Sequence, residues 1–333
     1  MTQIRRKIWF FIVGICIGVL PRVACSVAAV DRWNQIPSYE LIRPSNDRPN
    51  PHNPFWITTQ QLGFVVGQEI KGEMEGGLYT FDFQTKEVKK LLGRYVFDAA
   101  FLPELNRLSF VAVGKPQQGI TLFTKSVDKE DLREYNILPF SPSWSPDKKK
   151  VAFANLSYDA DLFIADVETG KLEALGDLGR GKETNGTEAP DWSPTGREIV
   201  YVGWDKTSRT KEDSYVPKIS RIYRFDVGSH NYRRLTSGSF QDREPAYSPD
   251  GKYIAFMSNR SQNFELWLMN RDGTNLRRLT DMGKQGHQVA LGKPAWSPDQ
   301  KRIAFSVTPS TKKPYMGGFP FEGAAVWVLE LKK

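Results

Sequence analysis

A motif that returns every 43 to 55 residues constrains this chain more than any other feature. Four copies are plain: Trp144-Ser145-Pro146-Asp147, Trp192-Ser193-Pro194-Thr195-Gly196, Tyr247-Ser248-Pro249-Asp250-Gly251 and Trp296-Ser297-Pro298-Asp299. Each is followed at a fixed offset by an apolar triplet: Val151-Ala152-Phe153, Ile199-Val200-Tyr201, Ile254-Ala255-Phe256 and Ile303-Ala304-Phe305. Two degenerate copies lie upstream. Phe101-Leu102-Pro103-Glu104 leads to Leu108-Ser109-Phe110, and Trp56 leads, one residue early, to Leu62-Gly63-Phe64. Anchors at 56, 101, 144, 192, 247 and 296 average 48 residues apart, a period that signals a solenoid, propeller or array.

Each unit parses into four short strands. The aromatic anchor ends strand a, and Pro-Asp-Gly supplies a tight turn, because proline presets φ and aspartate and glycine favour the later turn positions. The apolar triplet is strand b. Strand c alternates, as in Leu162-Phe163-Ile164-Ala165 and Leu266-Trp267-Leu268-Met269, and a turn such as Arg271-Asp272-Gly273 leads to strand d, for example Leu276-Arg277-Arg278-Leu279-Thr280. Four short strands per unit is the grammar of a β-propeller blade. No ten-residue stretch beyond residue 28 shows helical periodicity. The fold class is therefore all-β, a six-bladed propeller of four-stranded blades.

The pattern W-S-P-D-G-x-x-I-A-F … L-W-x-M-N-x-D-G-x-x-x-R-x-L-T resembles the TolB-type (WD40-like, PD40) propeller repeat, and residues 247–280 follow it almost position by position. The resemblance spans about residues 56–333. It implies that the Trp, Ser, Pro and Asp of the anchors are scaffold, and none of them is assigned a catalytic role. It also implies a Gram-negative periplasm and an envelope partner such as a peptidoglycan-associated lipoprotein. TolB itself carries an α/β domain ahead of its propeller, for which residues 29–55 are too few, so a place in the Tol–Pal machinery is not implied.

Closure needs one more strand. The last unit ends at strand c, Ala325 to Leu331, and an open ring would expose a pairing edge. The segment Ser38-Tyr39-Glu40-Leu41-Ile42-Arg43 is strand-like and has no partner of its own. It is expected to supply strand d of the sixth blade. The expected organisation is a signal peptide over 1–28, an N-terminal segment with the ring-closing strand over 29–55, and the propeller over 56–333.

The signal peptide rests on Arg5, Arg6 and Lys7 before an apolar run from Ile8 to Leu20, then the A-x-A-like Ser26-Val27-Ala28. The run is shorter than the ~20 apolar residues a spanning helix needs, and Pro21-Arg22 interrupts it. Acylation at Cys25 is the lesser alternative, since arginine stands where a lipobox wants an aliphatic residue. Cys16 and Cys25 are the only cysteines, so cleavage after Ala28 leaves neither a disulfide nor a thiolate metal site. Residues 1–28 hold four cations and no acid, and their removal takes the net charge from +8 to +4. Charges of mixed sign along the remaining chain do not indicate nucleic-acid binding. The expected location is periplasmic or secreted.

Loop length points to one face. In an up-and-down blade the a–b and c–d turns share a face and the b–c and d–a connections share the other. The long connections are Gly176–Pro190, Gly203–Ser220, Asp281–Pro294 and Thr308–Gly323, all of the second kind. Long loops on a rigid scaffold carry binding residues. The candidates on that face are Trp204, Arg209, Tyr215, His287, Tyr315, Phe319 and Phe321, because aromatic and arginine side chains are enriched at protein–protein hot spots. The alternative for Tyr315, Phe319 and Phe321 is that they fold back to cap the blade. Glu69, Glu73 and Glu75 read as a solvated acidic loop rather than a metal site.

Motifs for catalysis are missing. His52, His230 and His287 are far apart, H-E-x-x-H and G-x-S-x-G do not occur, and the S-x-x-K match from Ser208 to Lys211 lacks its companions. The residues thus indicate no catalytic group, metal or cofactor. The expected function is a non-enzymatic exported binding module. The alternative is a propeller enzyme or binder acting on a saccharide at the central channel, to be marked by convergent carboxylates there.

Overall fold

The computed structural model describes residues 39–42, 50–70, 73–114, 119–155, 161–175, 178, 184–205, 219–290, 292–310 and 323–331. The ring lies within the compact unit Gln35–Lys333. The expected signal peptide and Cys25 fall outside the described residues.

Six antiparallel sheets follow one another along the chain, each with strands in the order a, b, c, d. Blade one is Pro51–Trp56, Gln61–Ile70, Glu73–Asp82 and Val88–Leu92. Blade two is Asp98–Leu102, Arg107–Val113, Ile120–Ser126 and Arg133–Tyr135, and blade three is Phe140–Trp144, Lys150–Ala154, Leu162–Asp166 and Leu172–Ala174. Blade four is Thr184–Trp192, Glu198–Asp205, Ser220–Asp226 and Tyr232–Arg234, and blade five is Asp242–Tyr247, Tyr253–Ser261, Asn263–Asn270 and Arg277–Arg278. In blade six a divided strand a, His287–Val289 and Ala295–Trp296, pairs with Arg302–Pro309, which pairs with Ala325–Glu330. Its outermost strand is Tyr39–Ile42, joined antiparallel to Ala325–Glu330 with Leu41 opposite Trp327. The ring is all-β and six-bladed, and the N-terminal strand closes it.

The anchor motif works as a turn device. Ser145 Oγ donates to Asp147 at 2.6 Å and accepts from the Lys150 backbone N–H at 2.9 Å, fastening strand a to strand b. Ser248 with Asp250 and Ser297 with Asp299 repeat this at 2.7 and 2.6 Å, and Thr195 replaces the acid beside Ser193. The turn passes through the left-handed region at Lys148, Gly196, Gly251 and Gln300, with φ between 58° and 70°. In blade two a 3-10 turn, Pro103–Leu105, takes its place and the left-handed residue moves to Asn106.

Apolar faces of neighbouring blades pack together. At the closing seam Trp56, Leu62, Phe64 and Tyr79 of blade one meet Ala304, Val326 and Val328 of blade six. Between blades three and four Ala152, Leu162 and Ile164 meet Trp192, Tyr201 and Tyr223. Burial of this kind stabilises by about 25 cal/mol per Å² of apolar surface, so the ring is held between blades rather than by one central core.

Three connections differ from the sequence reading, the first being Gly176–Pro190, whose second half already belongs to strand a of blade four, Thr184–Trp192. Asp281–Pro294 is not a plain loop: it holds a 3-10 turn, Met282–Gln285, and the strand His287–Val289. The Glu265 carboxylate orders that turn by accepting the Met282 and Gly283 backbone N–H groups and the Thr280 hydroxyl. The acidic segment of blade one is a hairpin, since strands b and c run on to Ile70 and Glu73 and pair with each other there.

Candidate functional site

Strand a is innermost in every blade, so its residues bound the central channel. In four blades it breaks register three residues before the anchor, and the residue there has positive φ: Asn53 (45°), Ser141 (48°), Ala189 (49°) and Glu244 (50°). Proline follows each of them, as Pro54, Pro142, Pro190 and Pro245. Proline offers no ladder N–H and suits a bulge on an edge strand. Blade six does the same with Gly292 at φ 124° ahead of Lys293-Pro294. Asn53, Ser141, Ala189, Glu244 and Lys293 therefore occupy one equivalent position, toward the end of the channel that carries the b–c and d–a connections; blade two has no bulge, and its Asp98, opposite Val111, lies on the neighbouring rung that His52, Phe140, Glu188 and Arg243 hold in other blades.

Two side chains tie this ring together. Asp191 accepts from Ser143 Oγ of blade three at 3.2 Å, from the Tyr247 N–H of blade five at 2.9 Å and from Lys293 Nζ of blade six at 3.1 Å. Lys293 also donates to the Pro190 carbonyl at 2.7 Å, so it crosses from blade six to blade four. Asn53 does the same work on the other side. Its backbone N–H donates to Ser306 Oγ of blade six at 3.1 Å, and its Nδ2 donates to the Phe97 carbonyl at the start of blade two at 2.8 Å. One carboxylate and one amide thus touch all six blades.

The charges at this level act on one another across the ring. Burial pushes Asp98 up to about 6, against the pull of Lys293. Burial and then the charge of Glu188 push Glu244 up to about 7, with Lys293 and Arg243 opposing. Blades two and five stand opposite each other in a ring of six, and the charge of Asp98 acts on Glu244 from across it. Arg243, 2% exposed, is held down by burial. His52 is 1% exposed, and burial pushes it down to about 4, so it is neutral at pH 7. Among the described residues no three His, Cys, Asp or Glu converge closely enough to hold a metal ion.

Of the residues expected on this face, Trp204 and His287 are among the described ones. Trp204 lies near the end of strand b of blade four, its ring over Gly186 of the same blade. His287 opens the first piece of strand a in blade six, with Nδ1 2.8 Å from the Gln285 carbonyl and its ring 6.2 Å from that of Trp327. The structure does not bring the two together. Arg209, Tyr215, Tyr315, Phe319 and Phe321 lie outside the described residues. His230 sits in the c–d turn of blade four, its ring 5.6 Å from Phe225.

Exposed large apolar side chains occur on both faces: Leu105, Val127, Leu132, Leu172 and Leu276 lie at or beside a–b and c–d turns, and three lie on this face. Val113 ends strand b of blade two, Leu138 lies in the connection to blade three and Phe140 begins strand a of blade three; they are 55%, 56% and 43% exposed. Neither this trio nor the channel ring emerges from the sequence reading. The signal for the ring was present as proline two residues before five of the six anchors.

The model of the TolB beta propeller domain (PD40) matches residues 105–313, more than half of the chain. The chain belongs to the TolB β-propeller family. It is 28% identical over 183 residues to an uncharacterized protein, Atu1656, of Agrobacterium fabrum, covering 52% of this chain and 56% of that protein. It is 31% identical over 162 residues to dipeptidyl-peptidase 5 of Porphyromonas gingivalis, covering 43% of this chain and 22% of the peptidase. The chain thus spans about half, or less, of the curated relatives it matches. Among solved structures it is similar to TolB from Acinetobacter baumannii (TM-score 0.58, 17% identity, 81% of this chain and 63% of that one). It is similar also to a putative TolB from Agrobacterium tumefaciens (0.57, 17%, 85% and 90%) and to an oligogalacturonate lyase in complex with manganese (0.51, 14%, 89% and 97%). At these identities the likeness is one of fold, shared by TolB structures and a lyase alike.

Proposed function

We propose that this TolB-family propeller is an exported, non-enzymatic binding module that docks a protein or other envelope component on the face bearing the b–c and d–a connections. The observation that carries the reading is that exposed Val113, Leu138 and Phe140 stand on the same face as the charged channel ring. Apolar side chains around a rigid, partly charged centre are what a protein interface is built from. Export rests on the basic and apolar segments within residues 1–28. The loop residues Arg209, Tyr215, Tyr315, Phe319 and Phe321, with Trp204 and His287, belong to this reading as its outer contacts, and a peptidoglycan-associated lipoprotein is one partner of suitable location.

The test is site-specific photo-crosslinking in an envelope extract. A crosslinker at Leu138 should yield a discrete adduct that alanine at Tyr315, Phe319 and Phe321 diminishes. One at Leu105, 49% exposed on the a–b turn of blade two, should not. Equal adducts from both faces, or adducts from Leu105 alone, would overturn the proposal.

A second reading, a saccharide acted on at the channel, is favoured by Asp98 and Glu244 on opposite blades with acidities moved toward neutrality, as acid–base pairs require. Turnover of a polysaccharide panel that Asp98→Asn abolishes would replace docking with that activity.

A further inference from the structure

Among the described residues, the channel mouth carries more carboxylates than cations. Asp98 of blade two and Glu188 of blade four both act on Glu244 of blade five, and Asp191 lies three residues beyond Glu188 along its strand. Two cations among the described residues answer these four carboxylates. Lys293 is already held by Asp191 and the Pro190 carbonyl, and Arg243, itself buried, acts on Glu188 and Glu244. Hydrogen bonding does little to make up the difference. Asp98 accepts a 2.8 Å bond from its own neighbour, the Ala99 N–H, and among the described residues no hydrogen bond reaches the Glu244 carboxylate. Enclosed carboxylates in this condition gain from a cation that brings its own donors.

The spacing argues against a bare metal ion, because no three carboxylates or imidazoles among the described residues converge closely enough to hold one. A cation on a long, flexible arm meets the geometry better. Such an arm has to come from a backbone resting outside the ring, and the ground there is apolar: Phe140 on the innermost strand of blade three, with Leu138 and Val113 beyond it.

We propose that the channel mouth selects a protein segment that carries a lysine or arginine between apolar residues, the cation entering between Asp98 and Glu244 and the apolar side chains resting on Phe140, Leu138 and Val113. The inference rests on the docking reading and narrows it to the partner's chemistry. Asp98 and Glu244 become specificity-determining residues, and Lys293 the internal cation that keeps Asp191 from competing for the ligand.

Protonation gives the contact a definite sign. With Asp98 near 6 and Glu244 near 7, both are charged well above neutrality and lose charge as the pH falls toward 5.5. The groups around them are Glu188 and Asp191 on blade four, Arg243 on blade five, Lys293 on blade six and the neutral His52 on blade one. Affinity for a cationic segment therefore falls on acidification.

Fluorescence anisotropy with short capped, labelled peptides tests this on the full chain. A peptide alternating phenylalanine with lysine should bind at pH 8 about tenfold more tightly than its phenylalanine–glutamate or serine–lysine counterparts, and more weakly at pH 5.5. The near-isosteric double substitution Asp98→Asn with Glu244→Gln should remove both the preference and the pH dependence. Phe140→Ser, at an exposed position that leaves the fold intact, should weaken binding several-fold at either pH. The proposal is overturned if the glutamate peptide binds as well as the lysine peptide, or if the double variant, shown folded by its near-UV circular dichroism, keeps both affinity and pH profile. It is overturned too if no peptide binds while Leu138 still crosslinks to a partner; in that case docking stands and this selectivity falls. Loss of the Leu138 crosslink as well would remove the docking reading itself.

Discussion

At the scale of single residues the ring is held by hubs rather than by the repeated motif. Asp191 collects donors from blades three, five and six while belonging to blade four, and its side chain is only 18% exposed. Asp191→Asn keeps the size but turns one acceptor into a donor, which then confronts either the Tyr247 N–H or the Lys293 ammonium. Leaving a buried donor unmet costs about 1–3 kcal/mol, and more where it is charged. The expected loss is about 3 kcal/mol in urea-unfolding free energy, against about 1 kcal/mol for Lys293→Met, which removes one donor and leaves two. Equal losses would make the lysine, not the carboxylate, the tie. Nothing in the sequence announces such a hub. Its partners lie 48, 56 and 102 residues away, and two of the blades it joins are not neighbours. Such contacts exist only once the ring has closed. The bulge residues were in principle readable, through the x-Pro pair before five of the six anchors, but four of them take positive φ without glycine, so the usual mark of that conformation is missing, and Asp98 has no such pair.

At the scale of strands, the anchors and triplets were legible because each does a local job that fixes residue type, either closing the a–b turn or packing between blades. One degenerate copy shows how the repeat absorbs a change. In three blades the strand a residue just before the anchor faces alanine on strand b: Ala246 opposite Ala255, Ala295 opposite Ala304, Ser143 opposite Ala152. Blade one has Phe55 instead, and its partner is Gly63. A Cβ at Gly63 would stand 2.1 Å from the Phe55 ring, so the glycine of the weak Leu-Gly-Phe triplet compensates for a larger neighbour. Gly63→Ala should destabilise by about 1–3 kcal/mol, as overpacking of a buried site does. Phe55→Ala adds its own cavity cost, yet in the Phe55→Ala background the second change, Gly63→Ala, should be neutral or stabilising. A double-mutant cycle on thermal unfolding measures this coupling, and additive effects would mean that the two residues do not share the space.

At the scale of the whole molecule, stability depends on closure, because each blade buries its faces against two neighbours and an open ring leaves two of those faces bare. Two devices close the seam between blades six and one. The Arg302 guanidinium of blade six lies 4.5 Å from the Trp56 ring and 4.7 Å from that of Phe83, and it donates to the Thr59 carbonyl of blade one. Trp56 in turn donates through Nε1 to the Ala295 carbonyl at 3.0 Å. The other device is the strand Tyr39–Ile42, which covers the edge of Ala325–Glu330. Deleting residues 30–43 removes that cover and leaves a row of unpaired backbone groups, each hydrogen bond being worth about 1 kcal/mol net. A shortened chain should unfold at lower temperature and self-associate through the bare edge. A synthetic peptide of residues 36–44, added in excess, should restore both the transition and the monomer, since anything that binds only the folded ring stabilises it by mass action. Size-exclusion chromatography with calorimetry reads both quantities. A truncated chain that stays monomeric with an unchanged transition would show that the side-chain staple at Arg302 and Trp56 is sufficient, and that the N-terminal strand decorates a ring already closed.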